Sequence, residues 1–150
     1  MAVKVNQIEI QDHEIYQEMQ YHPARSSEEA MEEAAKALVI RELLLQKAKA
    51  LEIQCDPEQI PQEEALIDAL LEKVIQIPEP DEAVVSRFYQ NNHQRFKKVN
   101  GAPPALADVK TAISDYLVET SWTNAVRDFI QTLVQDSTLS GVTFKDRNAT

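Results

Sequence analysis

Apolar residues in this chain recur mostly at helical intervals, and the intervals stop and restart at proline. Between Glu28 and about Leu51 the residues Met31, Ala34, Ala35, Leu38, Val39, Leu43, Leu44, Ala48 and Leu51 follow a period near 3.6, and Ile40 and Leu45 widen the stripe beyond one face. The spacing predicts a long helix at the centre of the fold. Ser26, three residues ahead of Glu29, supplies a capping-box start, and Glu28 and Glu29 suit the positive end of the helix dipole. Pro57 and Pro61 bracket a loop, after which Ala65, Leu66, Leu70, Leu71, Val74 and Ile75 define a helix over Glu63 to Ile77 that Pro78 and Pro80 end. Asp81 stands at the next N-cap, and Val84, Val85, Phe88 and Tyr89 form the apolar side of a fourth helix fading at Asn91-Asn92. A last helix is expected from about Ala105 to Gln135, with the weak helix formers Thr120 to Thr123 as the place for a kink. Ahead of all these, Asp12 is expected to cap a short helix through Tyr21, with Ile15, Met19 and Tyr16 inward and Pro23 as its stop.

The two ends read differently. Val3, Val5, Ile8 and Ile10 are β-branched and spaced as a strand that Asn6-Gln7 interrupts, while Val142-Thr143-Phe144 after Gly141 is the other strand-like run. Pairing them closes the chain, so the expected fold is mainly α: about five helices, with a small β pair joining the N- and C-terminal strands. At 150 residues the chain is expected to form a single domain. Residues 1–96 would be its N-terminal part, 97–104 a Gly- and Pro-containing linker, and 105–150 its C-terminal helix and strand.

Charge narrows the chemistry. With 25 acidic and 15 basic residues the net charge is −10, a field that repels nucleic acid and anionic membrane surfaces. The local basic cluster Arg95, Lys97 and Lys98 reads as a solvated helix end. Cys55 is the single cysteine, consistent with a reducing compartment, and His13, His22 and His93 show no metal-ligand spacing. Only Gly101 and Gly141 are available for a phosphate-cradling turn, and no nucleophile elbow or His-Glu-x-x-His is present, so no catalytic residue, metal or cofactor is expected. The N-terminal stretch turns polar by Asn6 and has no long apolar run, which points to a cytoplasmic protein; a periplasmic one would require a signal removed from ahead of Met1.

A family resemblance adds to these readings. The run Ala37 to Ala48, then Leu51-Glu52-Ile53, Glu64 to Ile67 with Leu70-Leu71, Pro78 to Glu82, and Phe88 to Asn92 with Phe96 is similar to the helical region ahead of the catalytic domain in parvulin-type peptidyl-prolyl isomerases. It looks closest to the NifM-like branch, relatives of the SurA and PpiD chaperones. Val5 to Ile10 resembles that family's Val-Asn-Gly-x-x-Ile strand with Gln7 in place of glycine, and Val109 to Leu117, Trp122, Ala125 to Leu133 and Leu139 to Val142 resemble its C-terminal segment. The His-Ile-Leu strand and Gly-Gly-Asp-Leu-Gly stretch of the rotamase domain have no counterpart between Phe96 and Val109.

The resemblance implies a SurA N-terminal-like helical chaperone core without isomerase activity of its own, binding unfolded or maturing polypeptides in an apolar groove. Candidate groove residues are Met19, Met31, Phe88, Tyr89, Phe96, Trp122 and Phe129, each of which helical spacing also allows to be ordinary core. The clients it implies include a metalloenzyme such as nitrogenase iron protein or nitrate reductase. The alternative is an acidic helical dimerisation or scaffold module, a homodimer without client-binding activity.

Overall fold

In the computed structural model, which describes residues 2–96, 98 and 101–144, the chain is mainly helical. The helices are α1 (Asp12–Glu18), α2 (Ser27–Ala50), α3 (Gln62–Val74), α4 (Glu82–Asn91) and α5 (Leu106–Asp136); the strands are β1 (Val3–Val5), β2 (Ile8–Ile10) and β3 (Leu139–Ser140). Two compact units result: one contains Met1–Val74 and Asp128–Thr150, the other Ile75–Arg127. Helix α5 supplies residues to both.

In the first unit the strands form an antiparallel sheet in the order β2-β1-β3. β1 pairs Val3 with Ile10 and Val5 with Ile8 on one side, and Val5 with Leu139 and Lys4 with Ser140 on the other. The expected union of the two chain ends is therefore present, with two changes. The turn expected at Asn6-Gln7 is present, Asn6 adopting a left-handed φ of 57°, but it folds Val3 to Ile10 into a hairpin whose two halves pair with each other and do not form one strand. Asparagine tolerates that conformation better than most residues. The C-terminal strand is Leu139–Ser140 and not Val142 to Phe144, since Gly141 with φ +78° ends the ladder. Val142 and Phe144 still pack on the core as irregular chain.

Asn6 does more than turn. Its backbone N–H donates to the Thr138 carbonyl at 2.7 Å, its Oδ1 accepts from the Thr138 N–H at 2.9 Å, and its Nδ2 donates to Gln46 Oε1 at 2.7 Å. Gln46 in turn donates to the Val5 carbonyl at 3.3 Å. One exposed side chain thus ties the hairpin to the residue that leads into β3 and to α2.

Helix α2 carries the core of this unit. Val3, Val5, Ile10 and Ile15 pack with its Ala34, Ala35, Val39 and Leu43, while its Leu44 and Ala48 pack with Leu70 of α3 and, more peripherally, with Phe129 and Ile130 of α5. Leu133 packs against both clusters. Met31 and Leu51, at the ends of the predicted stripe, are exposed, and so is Tyr16 of α1, which was expected to face inward. Ser26 Oγ accepts from the Glu29 N–H at 3.1 Å, the forward half of the expected capping box, while the Glu29 carboxylate accepts from the Arg25 N–H at 3.3 Å and not from that of Ser26. The other end is a Schellman turn: the Glu52 N–H bonds the Lys49 carbonyl, the Ile53 N–H bonds the Ala48 carbonyl at 2.9 Å, and Ile53 packs against the second cluster. Glu52 holds the left-handed position, with φ 54°, that glycine usually takes. An ion pair from Arg41 to Glu63 links α2 to α3.

The boundaries of α1 and α3 differ from expectation. Gln11, not Asp12, stands at the N-cap of α1, where its N–H donates to Glu14 Oε2 at 2.8 Å; the helix ends at Glu18, and a 3-10 turn takes Met19–Tyr21. Helix α3 stops at Val74, short of Ile77. Helix α5 continues without a break through Thr120 to Thr123. Asp81 caps α4 as expected, its Oδ1 accepting from the Val84 N–H at 2.9 Å. Of the expected linker, Lys97, Val99 and Asn100 lie outside the described residues, as does Lys145 beyond the C-terminal run.

Two substitutions test this account. A Cβ on Gly141 would lie 2.4 Å from the Ala2 carbonyl oxygen, so Gly141→Ala must move backbone and also bear the left-handed φ. A loss of about 2 kcal/mol or more in urea unfolding is expected. Glu52→Gly, which relieves the same conformation at an exposed site, is expected to raise stability by about 0.5–1 kcal/mol in the same measurement.

Candidate functional site

The second unit contains an aromatic cluster that local structure assembles. Helix α4 ends at Asn92, whose Nδ2 donates to the Phe88 carbonyl at 2.9 Å, and a 3-10 turn over His93–Arg95 follows. That turn brings Arg95 and Phe96 back to the apolar side of α4. The rings of Phe88 and Phe96 then meet edge-on with centroids 6.4 Å apart, and Tyr89 lies 5.7 Å from Phe96 and 4.6 Å from His93. The Tyr89 hydroxyl donates to the Pro104 carbonyl at 2.7 Å, which anchors the chain ahead of α5.

Helix α5 presents the opposite wall. Val109, Ala112, Ile113 and Tyr116 fall at i, i+3, i+4 and i+7, one face of the helix, and border an open depression of about 210 Å³ together with Phe88 and Phe96. Tyr116 is tilted against Phe88 at 5.5 Å. Arg95 places its guanidinium carbon 5.7 Å from the Phe88 ring centre and 5.5 Å from that of Tyr116, and its Nη2 donates to the Tyr116 hydroxyl at 3.4 Å. Such stacking holds a cation through the ring quadrupole. The hydrogen bond from Arg95, then one with Thr120, then the Arg95 charge lower the Tyr116 pKa below the ordinary phenol value. Nearby on the same pair of helices, Lys110 bonds Glu82 at 2.7 Å and holds that carboxyl below its usual range.

Of the seven predicted groove residues, the structure brings together Phe88, Tyr89 and Phe96, all half-buried. Trp122 is half-buried in the same unit but lines a different surface depression, beside Ile77, Glu79, Asp115 and Glu119. The remaining three are in the first unit. Met19 packs against its first core cluster, Phe129 against its second, and Met31 is 39% exposed, so those three do not line the aromatic depression. Sequence reasoning missed Arg95 and Tyr116. The i, i+3, i+4, i+7 face of α5 was a usable signal for Tyr116, whereas Arg95 looked like one of several solvated basic residues.

This arrangement suits non-covalent capture of an apolar group beside a fixed cation. Among the described residues no group of His, Cys, Asp and Glu is placed to hold a metal ion. No described helix is long and apolar enough to cross a membrane.

Because folding lowers the Tyr116 pKa, the linked stability belongs to the phenolate. It is complete above the unfolded phenol value near 10 and disappears as pH falls through the lowered folded value. Arg95→Gln is therefore expected to move the Tyr116 titration upward, and NMR of ring-labelled tyrosine checks it; an unmoved titration would show that Arg95 does not contact the phenol in solution.

Compared with family models, with curated proteins and with solved structures, the chain matches none.

Proposed function

We propose that this chain is a non-catalytic polypeptide-binding module, the helical chaperone core of a parvulin-type, NifM-like or SurA-like protein, acting on unfolded or maturing clients in the cytoplasm. The observation that supports this reading is the open depression walled by Phe88, Phe96 and Tyr116, apolar but for Arg95 and the Tyr116 hydroxyl. Burial of apolar area there contributes about 25 cal/mol per Å², and the contact is not directional, so varied apolar side chains bind with modest affinity. Weak, sequence-tolerant binding is what a holding chaperone needs. The lone Cys55 fits a reducing compartment. A maturing metalloenzyme is the client class that the family resemblance favours.

The test is suppression of aggregation. The chain is expected to keep a chemically denatured substrate from scattering light when present at near-stoichiometric ratio. Ala112 is an exposed helical residue on the lining, so Ala112→Trp fills the depression without opening a cavity in the core. It is expected to cut the protection several-fold at unchanged helicity by circular dichroism. Equal protection by the variant removes the depression from the binding surface, and no protection by either protein, together with a stable dimer, returns the scaffold alternative.

A further inference from the structure

The charge pattern of the aromatic depression goes further than its apolar character. Arg95 is the charged residue on its lining, and none of the ion pairs among the described residues includes it. Two rings fix the position of its guanidinium at 5.7 and 5.5 Å, and one neutral acceptor, the Tyr116 hydroxyl, takes a hydrogen bond. A guanidinium has five N–H donors in a rigid fork that matches a carboxylate. Most of that capacity is left at an exposed rim, since Arg95 itself is exposed. The space beside it, about 210 Å³, is below the roughly 300–1,000 Å³ of small-molecule pockets and suits one large side chain.

We infer that the depression takes a large apolar side chain from an extended client segment while Arg95 pairs with an Asp or Glu side chain next to it. This rests on the polypeptide-binding reading and names the client chemistry. The depression is open, so a segment that continues on both sides of the bound residue fits it, and an acidic side chain reaches the rim without the chain having to end there. The local preference runs against the global field. A net charge of −10 by itself favours basic segments over acidic ones, so the order of affinities separates the two effects.

The experiment uses the full chain and fluorescence anisotropy with four labelled peptides: three blocked at both ends and alike except for Glu, Gln or Lys after a central Phe, and a fourth that ends in a free carboxylate after the Phe. The Glu peptide is expected to bind roughly three- to tenfold tighter than the Gln peptide, as for a charge-assisted pair at a partly exposed site. The gap should shrink as salt is raised. Arg95→Gln is expected to abolish it, and Arg95→Lys to keep part of it, because charge remains while the fork is lost; circular dichroism confirms that both variants stay helical. Equal affinities, or the order Lys over Gln over Glu, overturn the inference while leaving polypeptide binding in place. A preference confined to the fourth peptide also overturns it, since the anion would then be a chain end. If no peptide binds, the inference falls, and the aggregation assay shows whether the polypeptide-binding reading falls with it.

Discussion

The first unit depends on closure of the chain ends by β1, β3 and Asn6. Residues 132 positions apart meet there, Asn6 and Thr138 exchanging hydrogen bonds through backbone and side chain. Closing a loop of that length costs entropy that grows only slowly with length, so a short ladder is enough when a core forms behind it. That core is the row Val3, Val5, Val39 and Leu43, all buried, with Leu133 packed against it. Ala34 and Ala35 are buried in the same cluster, where their small side chains leave room for the larger residues around them. Gly141 serves the same closure from the other side, because a side chain there would occupy the position of the Ala2 carbonyl. Hydrogen bonds, small residues and one left-handed glycine therefore act together, and each loses its purpose if the termini separate.

The second unit is organised by aromatic side chains and not by a ladder. Among the described residues its buried aliphatics are Ile75, Val85 and Ile113. The half-buried rings around Phe88 extend that core to the surface, where they stop being core and become a surface on which another apolar group can be placed. Arg95 stands at that transition. Its stacking on two rings is an intramolecular contact that orders the cation, and the same ordering would lower the entropy cost of the proposed pairing with an anion.

The starts of α2 and α4 were legible because capping is local. Ser26 and Asp81 bond N–H groups three residues on, and nothing elsewhere in the chain decides that. Ends were less legible. The stop of α2 rests on Glu52 in a left-handed conformation, which no glycine announced, and it is stabilised by Ile53 packing on a cluster built from distant residues. Helix α3 stops at Val74 although the apolar period runs on to Ile75, since a buried position satisfies that period whether or not it is helical. The terminal strand was placed too late for a related reason: Val142 and Phe144 have strand-like side chains and do pack inward, but Gly141 has already taken the backbone out of the ladder.

Periodicity, proline punctuation and composition were sufficient for the mainly helical class, the five helices and the joining of the two ends, because those properties follow from local backbone chemistry and the need to bury each stripe. The candidate aromatics were legible as large apolar residues, but their grouping was not. Only tertiary structure separated Phe88, Tyr89 and Phe96 from Met19, Met31, Trp122 and Phe129, and only it placed the exposed Arg95 guanidinium against the rings of Phe88 and Tyr116. A helical period says which residues share a face; what stands opposite that face depends on contacts between elements far apart in the chain, and no local rule contains them.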